Sequence, residues 1–141
     1  MKLLSTKTHG VLDYLTAGAM LTLPRAMGWG EAATRLLTGA GLGALGYSLL
    51  TRYELGLVKV LPMRAHLSLD ALSGAMLCAA PLLLADETPE VKGTLVGLGL
   101  FEIAAAMATE AEPAATAAPD PLGEAAAALR RSLAAGRPSG T

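Results

Sequence analysis

Residues 9–24 read HGVLDYLTAGAMLTLP and residues 66–81 read HLSLDALSGAMLCAAP. His9, Asp13 and Pro24 return as His66, Asp70 and Pro81, so H-x3-D-x10-P occurs twice at a constant offset. The residues between them match in character: Leu15 with Leu72, Thr16 with Ser73, Ala17 with Gly74, Gly18 with Ala75. A second matched stretch follows at one residue more of offset. It pairs Gly39, Gly41 and Leu42 with Gly97, Gly99 and Leu100, and Thr51 and Glu54 with Thr109 and Glu112. Self-similarity of this length guides architecture better than any single motif, because each copy has to be one structural unit. The chain is expected to hold two tandem helical hairpins, about 6–54 and 63–112, within a domain spanning 1–110.

Hydrophobic residues make up 52% of the 141 residues and charged residues only 16%, whereas a soluble domain carries about a quarter charged. The apolar residues gather in blocks at 10–24, 36–50, 67–85 and 94–108. A helix crossing a bilayer needs roughly 20 residues, and Ala26, Met27, Trp29, Ala32, Ala33 and a snorkelling Arg35 can lengthen the short blocks. A soluble bundle would need a charged stripe on every helix, and residues 38–50 contain no charge. The expected fold is therefore all-α, an integral membrane four-helix bundle whose surroundings are the lipid bilayer. The first block is not read as a cleaved signal peptide: Asp13 interrupts it, Leu23-Pro24-Arg25 is a poor cleavage site, and its copy lies mid-chain. A net charge of −1 without a basic, aromatic-bearing stripe excludes nucleic acid as a partner. The lone Cys78 excludes an internal disulfide.

Lys2, Lys7, Arg52, Lys59, Arg64, Arg130, Arg131 and Arg137 fall on one side of such a bundle. Asp86, Glu87 and Glu90 cluster on the other side, with Arg25, Arg35 and Lys92. The positive-inside rule then puts both termini and the middle loop in the cytoplasm of a multi-pass protein of the bacterial inner membrane. Two hairpins of like orientation are expected to be related by a pseudo-two-fold along the membrane normal. The apolar middle loop is expected to lie on the bilayer surface with Tyr53 at headgroup level, and Pro62 to fill the first turn of the third helix. Glu112-Pro113 should end the fourth helix. Residues 111–141, rich in Ala and Pro, read as a largely disordered cytosolic tail with a short helix at 124–134.

Within the apolar blocks, His9 and Asp13 stand four apart, as do His66 and Asp70, which stacks each pair on one helix face. Glu102 lies seven residues before Thr109, roughly 10 Å along an outgoing helix, and Tyr47 falls near the same layer. His9, Asp13, His66, Asp70 and Glu102 are the candidate metal or polar site. One reading is structural: each pair satisfies itself within its helix, and interhelical bonds worth about 0.6 to 2 kcal/mol hold the repeats together. The other gathers both pairs at one centre. Such a centre could be a divalent zinc, manganese or iron site, a haem with two axial histidines, or a proton relay. The methionines Met20, Met63, Met76 and Met107 read as packing, and Gly39-x-Gly41-x-Gly43 as helix contact. With no Ser–His–Asp or Cys–His arrangement, no enzyme is expected. The leading expectation is a structural or accessory membrane subunit that associates with itself or with another membrane protein. The alternative is a metal-, proton- or haem-binding module, and the sequence leaves the cofactor open.

The His-x3-Asp starts, together with Tyr53-Glu54-x-Gly56…Leu61-Pro62-Met63-x-x-His66-Leu67-x-Leu69-Asp70, resemble the SPW-repeat family of small prokaryotic integral membrane proteins. The resemblance covers about residues 6–110. That family repeats a two-helix unit whose first helix ends in a Ser-Pro-Trp-like signature. Leu23-Pro24-Arg25 and Ala80-Pro81-Leu82 keep its proline and lack its Ser and Trp. The resemblance implies a bacterial membrane protein of paired hairpins and carries over no catalytic residue.

Overall fold

The computed structural model describes residues 3–111. Four helices run α1 Thr6–Ala26, α2 Glu31–Leu50, α3 Met63–Ala79 and α4 Pro89–Ala108, with a 3-10 turn at Ala80–Leu82 extending α3. No strand occurs among the described residues. Glu112 and the remainder of the tail, including the helix expected at 124–134, lie outside them.

Local chemistry sets the helix limits. The Ser5 hydroxyl accepts from the Thr8 amide at 3.2 Å and caps α1. At its far end Gly28 takes φ +65°. The Gly28 amide donates to the Arg25 carbonyl at 3.3 Å and the Trp29 amide to the Pro24 carbonyl at 2.9 Å, which closes a Schellman motif. Pro24 lies inside the last turns of α1, and its counterpart Pro81 lies in the 3-10 turn that ends the third helix. The fourth helix begins at Pro89, five residues ahead of the apolar block at 94. Thr88 accepts from the Val91 amide, Pro89 fills a position with no amide to satisfy, and Glu90 faces the positive helix end. Pro62 is the N-cap of α3, one residue before its first turn.

Each hairpin packs chiefly on itself. In α3–α4 a methyl added to Gly74 or Gly99 would run into the other's backbone carbonyl. In α1–α2 a methyl on Gly41 would stand 3.0 Å from the Ala17 carbonyl oxygen. Missing side chains let the helix backbones meet. The interior is segregated along the helix axes. Met20, Leu37, Leu77 and Leu95 form an apolar core in the half bearing the α1–α2 and α3–α4 turns. His9, Ser48, Thr51, His66, Asp70, Glu102 and Thr109 are buried in the other half. Outside, Leu15, Leu42, Leu72, Met76, Leu83, Leu100 and Met107 are exposed. Two segments, 63–82 and 89–108, are long and apolar enough to cross a membrane, with mean hydropathies of 1.2 and 1.5.

At the polar end the chain ties itself down twice. The Leu3 and Leu4 amides donate to the Ala108 carbonyl at 2.8 and 3.1 Å, and the Glu110 amide donates to the Leu4 carbonyl at 3.1 Å. The Val60 and Leu61 amides donate to the Leu50 carbonyl at 3.0 and 2.8 Å, and the Arg52 amide donates to the Leu61 carbonyl at 2.8 Å. Thr109 and Thr51, which end α4 and α2, are thereby clamped beside the segments that lead into α1 and α3. The middle loop corrects one expectation. Leu57, Val58 and Val60 are exposed, but Tyr53 is 1% exposed. Its ring fills the slot left by the missing side chain of Gly10 and lies 5.8 Å from the His66 ring. Burial pushes its phenol well above its ordinary range.

Candidate metal centre

His9 is the fourth residue of α1 and His66 the fourth of α3. Their Nε2 atoms point at each other across the bundle, 3.3 Å apart, with the rings edge to face. Both are buried, with 1% or less of their surface exposed. Asp13 and Asp70 follow one turn later and complete the cluster. His9 Nε2 lies 2.9 Å from Asp70 Oδ2 and 3.3 Å from Asp13 Oδ1. His66 Nε2 lies 3.0 Å from Asp13 Oδ2 and 3.2 Å from Asp70 Oδ2. The shorter contact of each histidine thus reaches the aspartate of the other hairpin. Pairing within each helix, as the i, i+4 spacing suggests, is the longer contact.

The imidazole protons can be placed from the hydrogen-bond network. Thr51 Oγ1 donates its single proton to the Tyr47 carbonyl at 2.6 Å, and Thr109 Oγ1 donates to the Ala105 carbonyl at 2.6 Å. These carbonyls sit in the last turns of α2 and α4, where helix geometry leaves acceptors spare. A threonine oxygen so committed can only accept from a second partner. Thr51 Oγ1 lies 2.9 Å from His66 Nδ1, and Thr109 Oγ1 lies 2.9 Å from His9 Nδ1. Both Nδ1 atoms therefore carry hydrogen. In the neutral rings both Nε2 atoms present lone pairs, and these face carboxylate oxygens that are acceptors too.

Each carboxylate is held from α2. Tyr47 Oη donates to Asp70 Oδ1 at 2.6 Å, and Ser48 Oγ makes a long contact of 3.5 Å to Asp13 Oδ2. The basic groups paired with these carboxylates are the two imidazoles. With both rings neutral the cluster would carry the −2 charge of its two aspartates, in an interior where unpaired charge is costly, so it calls for protons on Nε2 or for a bound cation.

One ligand atom from each of His9, Asp13, His66 and Asp70 lies within 4.8 Å of every other. Glu102, the fifth sequence candidate, is not part of that convergence. It lines a cavity of about 10 Å³ beside the cluster, along with Asp13, Asp70 and Tyr47. The threonines are the residues whose role went unread. Thr51 and Thr109 stand out in sequence as matched positions, but only their clamped backbones reveal that each receives a histidine from another segment. Comparison with protein-family models, curated proteins and solved structures finds no match.

Proposed function

We propose that this protein is a membrane four-helix bundle that binds one divalent transition-metal ion through His9, His66, Asp13 and Asp70. The observation that carries the reading is the spacing of the donors. Metal bonds of about 2.0 Å in a tetrahedral site separate neighbouring ligand atoms by roughly 3.3 Å. The nitrogen–nitrogen separation here is 3.3 Å and the nitrogen–oxygen contacts, which use both oxygens of Asp13, run from 2.9 to 3.3 Å, with one donor atom per residue all within 4.8 Å. Acceptors packed so closely call for positive charge among them, and a 2+ ion supplies it and balances the two aspartates without a proton on either Nε2. The Nδ1–H···Oγ bonds supply the outer-shell support typical of metal-bound histidine. Two nitrogens with two carboxylates suit zinc, with ferrous iron or manganese as alternatives. A haem is poorly served, since the Asp13 and Asp70 carboxylates crowd both Nε2 atoms where a macrocycle would have to lie.

The membrane setting is supported by the exposed apolar side chains and by two segments long and apolar enough to cross a bilayer. The two matched sets of end contacts, clamps and histidine–threonine bonds support a pseudo-two-fold along the bundle axis. With both termini cytoplasmic, the centre lies near the cytoplasmic face. This reading promotes the binding module over a purely structural subunit. It is tested on protein purified in mild detergent and supplied with Zn2+, Fe2+ or Mn2+ under reducing conditions. One tightly held ion per chain is expected, lost in His9→Ala and in His66→Ala. A metal-free wild type in which the histidines merely hold protons refutes it.

A further inference from the structure

The cavity beside the cluster breaks the match between the repeats. At the offset that pairs Thr51 with Thr109, Ala44 corresponds to Glu102 and Tyr47 to Ala105. All four line the cavity, together with His9 and both aspartates. One hairpin thus supplies a phenol and a methyl, and the other a methyl and a carboxylate. The phenol is committed to Asp70. The carboxylate is committed at most in part: the Ser73 side chain is a hydrogen-bonding neighbour, while Glu102 is 7% exposed and its Oε2 is buried without a partner. A buried acceptor of this kind requires a donor. A cavity of about 10 Å³ is near the smallest that admits one water, which needs polar partners to stay.

We infer that the bound metal, beyond its four protein ligands, takes a fifth, exchangeable coordination position facing this cavity, filled by a water molecule that donates a hydrogen bond to Glu102. The inference rests on the metal-binding reading above. It makes the centre an open site, able to take a small oxygen-donor ligand in place of the water, in contrast to a closed structural site with only protein ligands. Glu102 is a positioning residue for that ligand and does not coordinate the ion.

The test uses the full chain in detergent, loaded with Mn2+, with electron paramagnetic resonance spectra recorded in ordinary and 17O-enriched water. Line broadening from one inner-sphere water is expected in the wild type and in Glu102→Gln, whose amide oxygen still accepts. Glu102→Leu should lose the broadening while retaining one Mn2+ per chain. Ala44→Leu, which fills the cavity from the opposite hairpin, should lose it too and serves if Glu102→Leu does not fold. An unbroadened wild type, or broadening undiminished in the leucine variants, overturns the inference and leaves metal binding intact. A helical protein that binds no Mn2+, Zn2+ or Fe2+ overturns the metal reading and this inference together.

Discussion

Replacing Thr51 by Val should weaken metal binding far more than it weakens the fold. Valine keeps the volume and removes the oxygen that accepts from His66 Nδ1 at 2.9 Å and donates to the Tyr47 carbonyl at 2.6 Å. Without metal, the His66 proton can move to Nε2 and find Asp13 Oδ2 at 3.0 Å, so much of the loss is recovered. With metal, Nε2 is occupied and the proton is held on Nδ1 against an apolar methyl. A buried donor left unpaired costs about 1–3 kcal/mol. At about 1.4 kcal/mol per tenfold, that is roughly 5- to 150-fold in affinity. Loss of an outer-shell partner typically costs about 10- to 100-fold, so the two estimates agree. Competition against a chromophoric zinc chelator in detergent measures the change directly. Thr51→Ser should restore the affinity, and Thr109→Val should match Thr51→Val, because its two bonds have the same lengths. A Thr51→Val protein that holds zinc within about threefold of wild type, under half of one tenfold step, would refute the assignment of the Nδ1 protons.

Gly99→Ala and Gly74→Ala should each lower the melting temperature in detergent, because the new methyl meets an immovable carbonyl and overpacking costs about 1–3 kcal/mol. Gly97→Ala, with nothing within 4 Å, should lose nothing; equal damage at Gly97 would defeat the close-contact account. Gly10→Ala should disturb the Tyr53 ring, and a cycle with Tyr53→Ala should show a coupling of about 0.5–3 kcal/mol. Tyr53→Phe should change stability by no more than about 0.5 kcal/mol, since its buried hydroxyl makes no well-formed hydrogen bond, although Tyr14 and Ser48 are its polar neighbours; a larger loss by thermal unfolding would contradict this. For topology, Asp86→Cys in a Cys78→Ser background should react on intact cells with a membrane-impermeant maleimide. Protection of that cysteine until the cells are lysed would reverse the assigned orientation.

The repeat makes the four residues of the cluster legible in the sequence, because H-x3-D is weak once and informative twice. Its pairing was not legible. A four-residue spacing describes neighbours on one helix, whereas the contacts made depend on how two hairpins meet. The early start of α4 was written in Thr88-Pro89-Glu90, a capping signal that a count of apolar residues passes over. Tyr53 misled for a different reason: in a loop of exposed Leu and Val it reads as an interfacial aromatic. The glycine that accommodates it, Gly10, lies on another helix 43 positions away, as the residue numbers show. Glu102 stands out in sequence as an acid inside an apolar block, but its depth along a helix does not tell a member of the His–Asp cluster from a neighbour of it.

The crossing of partners between hairpins has a consequence for assembly. His9 depends on Asp70 and Thr109, and His66 on Asp13 and Thr51. Thr109 and His9 are separated by 100 positions, whereas each hairpin closes over a short turn. Local contacts form early and distant ones late, so the hairpins can be complete while the centre does not yet exist. An ion that binds only the finished arrangement stabilises it by mass action. Metal uptake in this protein would then report the last event of maturation, the meeting of two halves that can each form without the other.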